Sequence, residues 1–233
     1  MSNAAMSNAV MSRAGGPSFD PRDLLLYHVT DSQLSLPRTV PEVVEAAVAG
    51  GTTMIQVRGK TMTGRQVLEL VCEVARRVGD RVPILVNDRV DVYLAARERG
   101  AQVAGVHVGQ SDIPVADVRA LCGPGAIVGL SSASAEESAA IAALPAGTVD
   151  YAGIGPVHAT GTKPDHAQPL GVEGFREALE RCPVPAVAIG GVEVTDARSL
   201  MKAGARGLAV VSGICAAEDP QRAAANYREA MGQ

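Results

Sequence analysis

Short apolar runs rich in β-branched residues alternate along the chain with longer segments in which apolar residues recur every three or four positions. The runs are apolar through their whole length, as expected of strands buried on both faces of a parallel sheet. Eight runs are predicted as strands, at residues 24–30, 52–57, 82–87, 103–109, 126–131, 149–155, 184–191 and 207–212.

The segments between these runs predict helices. Residues 63–79 carry one apolar stripe at helical spacing, which is typical of a helix packed against a sheet. Thr195 is a candidate N-cap, and Gly204 a C-terminal stop, for one later helix. Asp219 and Pro220 suit the start of the last helix, since aspartate caps well and proline fits the first turn.

Eight strand–helix units without a linker or a change in composition predict one α/β domain over residues 19–233, a (β/α)8 TIM barrel. An open, doubly wound sheet is the alternative, but no G-x-G-x-x-G pattern follows the first strand. Residues 1–18 repeat the sequence MSNA and consist mainly of small residues. We expect them to be a disordered tail, the remnant of an expression tag.

Composition narrows the classes of protein. Hydrophobic residues make up 47% of the 233 residues and the net charge is −4, which argues for a sizeable core and against a nucleic-acid partner. No window approaches the roughly 18 apolar residues of a membrane span, so no membrane partner is expected. The four cysteines show no metal-type pair, as expected of free thiols in a reducing cytoplasmic compartment.

Polar side chains follow the second predicted strand at alternate positions. Gln56, Arg58 and Lys60 would share one face of an extended segment, placing two cations and an amide together. Such a nest suits a carboxylate, a phosphate or a diphosphate. A charged strand end exposed to solvent is the equally simple alternative.

Two aspartates follow the third and fourth predicted strands. Asp88 and Asp112 would meet at the same end of a barrel, where two carboxylates and substrate phosphates hold Mg²⁺. Taken alone, an aspartate after a strand is more often a turn or capping residue. The neighbouring cationic nest favours the Mg²⁺ site.

Glycines follow the last two predicted strands, at Gly190–Gly191 and Ser212–Gly213. Loops at these positions of a barrel often bind phosphate through backbone amides. Among the histidines, His107 lies inside an apolar strand and is predicted to be a hydrogen-bonded core residue. His158 lies in the loop after the sixth strand, and its role stays open.

Six motifs appear in order along the chain: Q-x-R-x-K, V-N-D-R-V-D-V, G-V-H-V-G-Q-x-D, G-x-G-P-V-x-x-T-x-T-K, A-I-G-G-V and V-V-S. Together they resemble the thiamine-phosphate synthase family from about residue 24 to residue 220. The resemblance implies two small-molecule substrates, an aminopyrimidine methyl diphosphate and a hydroxyethylthiazole phosphate. The implied products are thiamine phosphate and pyrophosphate, and the implied cofactor is Mg²⁺.

The resemblance also implies roles for individual residues. The diphosphate substrate would contact Gln56, Arg58, Lys60 and Asn87, and Mg²⁺ would be bound by Asp88 and Asp112. The pyrimidine substrate or its leaving diphosphate would contact Ser131 and Lys163, which with Arg58 form the implied catalytic set. The thiazole side would be lined by Thr160 and Thr162, and its phosphate held by Gly191, Val211 and Ser212.

The sequence departs from the family pattern at three places. The segment between Asp88 and His107 is a few residues longer than usual, which predicts an extended helix or a surface loop. Ser132–Ala133–Ser134 stands where a histidine is common, and His158 where an aromatic residue is usual. These changes remove none of the implied ligands.

Two other functions stay open. A thiazole tautomerase on the same fold would need a general base but neither a diphosphate nest nor paired carboxylates. A non-catalytic phosphate-binding barrel would need no carboxylate pair. The oligomeric state is not predicted.

Overall fold

The strands form a closed barrel in the computed structural model, which describes residues 19–161 and 168–232. All eight are parallel, each pairs with the next in the chain, and the eighth pairs with the first. The strands β1 to β8 span Leu26–Val29, Met54–Val57, Ile84–Asn87, Gly105–Val108, Ile127–Ser132, Tyr151–Ile154, Ala186–Ile189 and Gly207–Val210. The predicted (β/α)8 barrel is therefore confirmed, and the open sheet is wrong. The predicted disordered tail, residues 1–18, lies outside the described residues.

Helices surround the barrel. The α-helices α1 to α9 span Val40–Ala49, Gly64–Val78, Val90–Glu98, Val115–Cys122, Ala135–Ala140, Gly171–Glu180, Ala197–Lys202, Ser212–Cys215 and Pro220–Ala230. Short 3-10 helices lie at Pro21–Leu24, Ile141–Ala143 and Val194–Asp196. None of the helices in the described part of the chain is long and apolar enough to span a membrane.

Local sequence signals account for most helix boundaries. Thr63 and Gln66 form a reciprocal capping box at the start of α2, and the Asp219 carboxylate accepts a hydrogen bond from the Arg222 amide at the start of α9. The predicted N-cap at Thr195 is wrong. Glu193 precedes a 3-10 turn that leads into α7, so Thr195 lies inside that turn.

The core has two layers. Apolar helix faces pack against the outer surface of the strands, and a second cluster fills the barrel interior. Phe19 closes the amino-terminal end of the interior by stacking on Tyr151 with 6.2 Å between ring centroids. The four cysteines are free thiols, buried at Cys122 and Cys215 and partly buried at Cys72 and Cys182, as predicted. Because the lower interior is filled, open space is left at the carboxyl ends of the strands.

Candidate active site

A cavity of about 540 Å³ lies at the carboxyl ends of the strands. Every strand contributes to its wall, directly or through the loop that follows. Eleven predicted site residues line it: Gln56, Arg58, Lys60, Asn87, Asp88, Asp112, Ser131, Thr160, Gly191, Val211 and Ser212. The other two, Thr162 and Lys163, lie outside the described residues.

Arg58 is held at the cavity wall by an acidic partner. Its guanidinium Nη1 lies 3.1 Å from Oδ2 of Asp31, and both side chains are mostly buried. The Arg58 amide also donates to the Thr30 hydroxyl at 2.9 Å. Asp31 was not predicted as a site residue, because an aspartate a few positions after β1 carries no signal of its own. The ion pair holds the cation in place before any substrate binds.

Lys60, Asp88 and Asn87 form a second polar group. The Lys60 ammonium lies 2.6 Å from Oδ2 of Asp88, and the Asn87 amide donates to Oδ1 at 2.9 Å. Asp88 has a φ of 59°, a left-handed conformation that aspartate tolerates better than most residues. This backbone turn at the end of β3 directs the carboxylate into the cavity wall.

Asp112 lies beside Asp88. Its Oδ2 accepts a hydrogen bond from the Gly109 amide at 2.7 Å, and its carboxyl is within hydrogen-bonding reach of the Asp88 carboxyl. Burial, and then the neighbouring Asp88 charge, raise the pKa of Asp112. Two adjacent carboxyl groups at the cavity wall are a suitable arrangement for a divalent cation.

The residues present fit Mg²⁺ only if the protein supplies some of its ligands and not all of them. The described residues contain no group of three or more His, Cys, Asp or Glu side chains that could hold a metal. Asp88 and Asp112 supply hard oxygen ligands, which Mg²⁺ prefers, and water or substrate phosphate would supply the rest.

Gln56 is placed differently from its two neighbours in the predicted nest. Its side chain is 3% exposed, and its Nε2 donates to the Tyr27 hydroxyl at 2.7 Å inside the barrel. It still lines the cavity, and among the described residues the positive charge there comes from Arg58 and Lys60.

His107 is buried and hydrogen-bonded, as predicted, but it also lines the cavity. Its Nδ1 lies 2.8 Å from the Tyr151 hydroxyl, and its Nε2 lies 3.0 Å from the Ser131 hydroxyl. Its inward orientation on β4 was the available signal, because alternate residues of a barrel strand face the interior.

Gln110 and Glu137 are two further cavity residues that the sequence analysis missed. The Gln110 side-chain amide donates to the Ser131 carbonyl at 2.7 Å. The Glu137 carboxylate accepts from the Ala133 amide at 2.7 Å. Both side chains therefore support the backbone around the end of β5.

The opposite wall is built from the ends of β7 and β8. Gly190 and Gly191 have φ values of 88° and 67°, which favour glycine strongly. Among the described residues, no Lys or Arg from β7, β8 or their loops lines this wall. A phosphate there would be bound by backbone amides and hydroxyls rather than by cationic side chains.

Gly191 makes a close approach to the loop after β6. A Cβ added at Gly191 would lie 2.9 Å from the His158 Cβ and 3.1 Å from the Ala159 carbonyl oxygen. A side chain at Gly191 would therefore collide with this loop before it could reach a phosphate in the cavity.

Comparison with known proteins identifies the family. The family model described as thiamine monophosphate synthase matches residues 26–214. The chain belongs to the thiamine monophosphate synthase family.

Relatives of this family are similar over most of their length. A thiamine-phosphate synthase of Azorhizobium caulinodans is 46% identical over 208 residues, covering 88% of this chain and 93% of the relative. One of Albidiferax ferrireducens is 45% identical, covering 88% and 91%. The solved thiamine phosphate pyrophosphorylase of Pyrococcus furiosus is 32% identical with a TM-score of 0.79, covering 91% and 97%.

The departures from the pattern of the thiamine monophosphate synthase family have structural explanations. The segment after Asp88 forms α3 and a loop that leads into β4. Ser132 is buried, and its hydroxyl lies 2.8 Å from that of Ser138, which joins β5 to α5. The His158 Nε2 lies 3.0 Å from Oδ2 of Asp196, so it connects the loops after β6 and β7.

Proposed function

We propose that this chain is a thiamine-phosphate synthase. It joins 4-amino-2-methyl-5-(diphosphooxymethyl)pyrimidine to hydroxyethylthiazole phosphate and releases pyrophosphate, as a transferase of a pyrimidinylmethyl group. The observation that carries the proposal is one cavity with two unlike walls. Cations and paired carboxylates line the wall at β2 to β4, and glycine-rich backbone lines the wall at β7 and β8.

The two walls suit two phosphorylated substrates. A diphosphate needs concentrated positive charge, which Arg58, Lys60 and a metal between Asp88 and Asp112 would provide. A monophosphate can be bound by amides where glycines permit close approach, as at Gly191 and Ser212. The organic parts of both substrates would then meet between the walls, near Ser131 and Thr160.

The reaction is a substitution at carbon. The bond between the CH₂ group and the diphosphate oxygen breaks, and its electron pair leaves with pyrophosphate. The thiazole nitrogen forms the new bond with its lone pair and has no proton to lose, so the reaction requires no strong general base.

The residues of this chain act mainly by electrostatics. Arg58 and Lys60 would stabilise the negative charge that grows on the leaving diphosphate, and Lys163 is proposed to do the same from the loop after β6. When bound, Mg²⁺ would neutralise part of that charge. Asn87 and Gln56 would orient the pyrimidine diphosphate, and Thr160 and Thr162 the thiazole.

One incubation tests the proposal. The purified protein is mixed with both phosphorylated substrates, with Mg²⁺ or with EDTA, and thiamine phosphate and pyrophosphate are measured. We expect equal amounts of both products, and only with Mg²⁺. Isomerisation of a thiazole phosphate without pyrophosphate release would support a tautomerase instead, and no product at all would support a non-catalytic barrel.

A further inference from the structure

A chain of hydrogen bonds crosses the barrel interior beneath the cavity. It runs from Gln56 on β2 to Tyr27 on β1, to Tyr151 on β6, to His107 on β4, and to Ser131 on β5. The successive heavy-atom distances are 2.7, 2.8, 2.8 and 3.0 Å. The two tyrosines are fully buried, and the chain reaches the cavity wall at Ser131.

The number of hydrogens that each group carries determines which partner donates in each hydrogen bond of this chain. The Gln56 Nε2 can only donate, so the Tyr27 oxygen accepts from it. A phenol has one hydrogen, and that of Tyr27 is then directed to the Tyr151 oxygen. The single hydrogen of Tyr151 is directed in turn to Nδ1 of His107.

The direction determines the form of the histidine. Because Nδ1 of His107 accepts, the neutral ring carries its hydrogen on Nε2 and donates it to the Ser131 oxygen. Ser131 then keeps its own hydroxyl hydrogen for an acceptor in the cavity. We propose that the chain Gln56–Tyr27–Tyr151 sets the tautomer of His107 and makes Ser131 a hydrogen-bond donor toward the substrate.

Burial keeps both phenols in the protonated state on which this count depends. Desolvation raises the pKa of both Tyr27 and Tyr151. Ring packing also limits rearrangement, since Tyr151 lies edge-on to Tyr27 at 5.8 Å and against the His107 ring at 5.5 Å.

The direction matters for chemistry at Ser131. A donor stabilises an anionic or lone-pair-bearing group, whereas the reversed chain would turn a Ser131 lone pair toward the cavity. The identity of that acceptor rests on the proposed function, under which it belongs to the pyrimidine diphosphate. The tautomer itself is independent of any substrate.

The test is the ¹⁵N spectrum of protein labelled at histidine, at pH 8 and without substrates. The His107 signals are assigned by their loss in His107→Gln. We expect a neutral ring with the hydrogen on Nε2, and Tyr151→Phe should convert this single form into a mixture of the two tautomers. A hydrogen on Nδ1 in the unmodified protein, or an unchanged His107 pattern in Tyr151→Phe, would overturn the proposal.

A reversing variant and a control sharpen the test. Gln56→Glu replaces the donor by a carboxylate that can only accept, so the His107 hydrogen should move to Nδ1. Tyr93→Phe removes a tyrosine hydroxyl on α3 that is not part of this chain of hydrogen bonds, so the His107 signals should stay unchanged. An Nε2 hydrogen retained in Gln56→Glu would contradict the proposed direction.

Kinetics provide a second readout. Tyr151→Phe should lower kcat for thiamine phosphate formation about tenfold, the loss expected of one ordinary hydrogen bond, with little change in KM for the thiazole phosphate. If kcat stays unchanged in Tyr151→Phe while His107 becomes a mixture of tautomers, the proposed role of Ser131 as a donor to the substrate is wrong. If the unmodified protein forms no thiamine phosphate, the proposed function fails while the spectra still decide the tautomer.

Discussion

The ammonium of Lys60 lies 2.6 Å from the carboxylate of Asp88, where the ends of β2 and β3 meet. Lys60, proposed to bind the diphosphate, and Asp88, proposed to bind the metal, are therefore in contact before any substrate is bound. Asp112 also lies close to Asp88, and its pKa is raised by burial and by that neighbouring charge. Arrival of a metal and a diphosphate together would satisfy both carboxylates and Lys60.

Replacing either carboxylate by its amide should remove the metal site. Asp88→Asn and Asp112→Asn keep the side-chain shape, and asparagine also tolerates the left-handed φ at residue 88. We expect each to lower activity at least ~100-fold at fixed Mg²⁺, because the leaving diphosphate loses part of its charge stabilisation. Initial rates over a Mg²⁺ titration measure the effect.

Asp91→Asn is the matched control for these variants. Asp91 lies three residues beyond Asp88, is 64% exposed and pairs with Arg89, so its removal should change the rate little. Near-normal turnover in EDTA, or in the double variant of Asp88 and Asp112, would rule out the metal site.

Lys163→Ala should lower kcat more than it raises KM for the thiazole phosphate. The lysine charge is matched to a leaving group whose charge grows in the transition state, and such interactions appear in kcat. Steady-state kinetics with each substrate varied in turn measure both constants. Lys202→Ala, on α7, is the control. An unchanged kcat would make Lys163 an ordinary solvated loop residue.

Ser212→Asp should weaken binding of the thiazole phosphate selectively. Ser212 is exposed at the cavity wall after β8, so a carboxylate there would repel a bound monophosphate. We expect KM for the thiazole phosphate to rise ~10-fold or more, about 1.4 kcal/mol, with KM for the pyrimidine diphosphate nearly unchanged.

Ser212→Asn and Ser212→Ala are the neutral controls and should have small effects, since the backbone amide is retained. An equal rise in both KM values in the aspartate variant would show that the two substrates do not occupy separate walls of the cavity.

His28 should make the fold sensitive to mild acid. It is a fully buried residue of β1, paired with Val210 of β8, and desolvation lowers its pKa from 6.5 to about 4. Below pH 6.5 the unfolded chain binds a proton at His28 that the folded chain excludes, so stability falls as pH decreases toward 4. Between pH 7.5 and pH 5 this group should remove about 2 kcal/mol from the free energy of unfolding.

Urea unfolding at both pH values measures the His28 effect against a His28→Asn variant, which lacks the titrating ring. The pH-dependent loss of stability should be smaller in the variant by that amount. Equal losses in both proteins would show that His28 is not held neutral in the fold.

The loop after β6 limits what a substitution at Gly191 can report. A side chain there would strain a backbone with φ of 67° and press on His158 and Ala159. Since this loop leads to Thr160 and to the proposed Lys163, the effect would spread to both substrates. Ser212 is the better probe of the phosphate wall for that reason.

The barrel and most of its site positions follow from the sequence alone. Each buried strand can be predicted from its own apolar run of residues. The carboxyl ends of eight parallel strands must then meet at one end of a closed barrel. Arg58, Asp88 and Asp112 could therefore be assigned to one site without coordinates. The predicted N-cap was confirmed at Asp219, where the signal is local. It was wrong at Thr195, because a 3-10 turn begins before this residue.

Only the tertiary structure decided which side chains meet. Arg58, after β2, pairs with Asp31 in the loop after β1, and Gln56 donates inward to Tyr27 rather than lying with the two cations. The ring of His107 links Tyr151 to Ser131 across three strands, so a residue predicted as core also serves the cavity. Such partners depend on barrel register and side-chain direction, which join positions from 24 to 124 residues apart in the chain and leave no local pattern in the sequence.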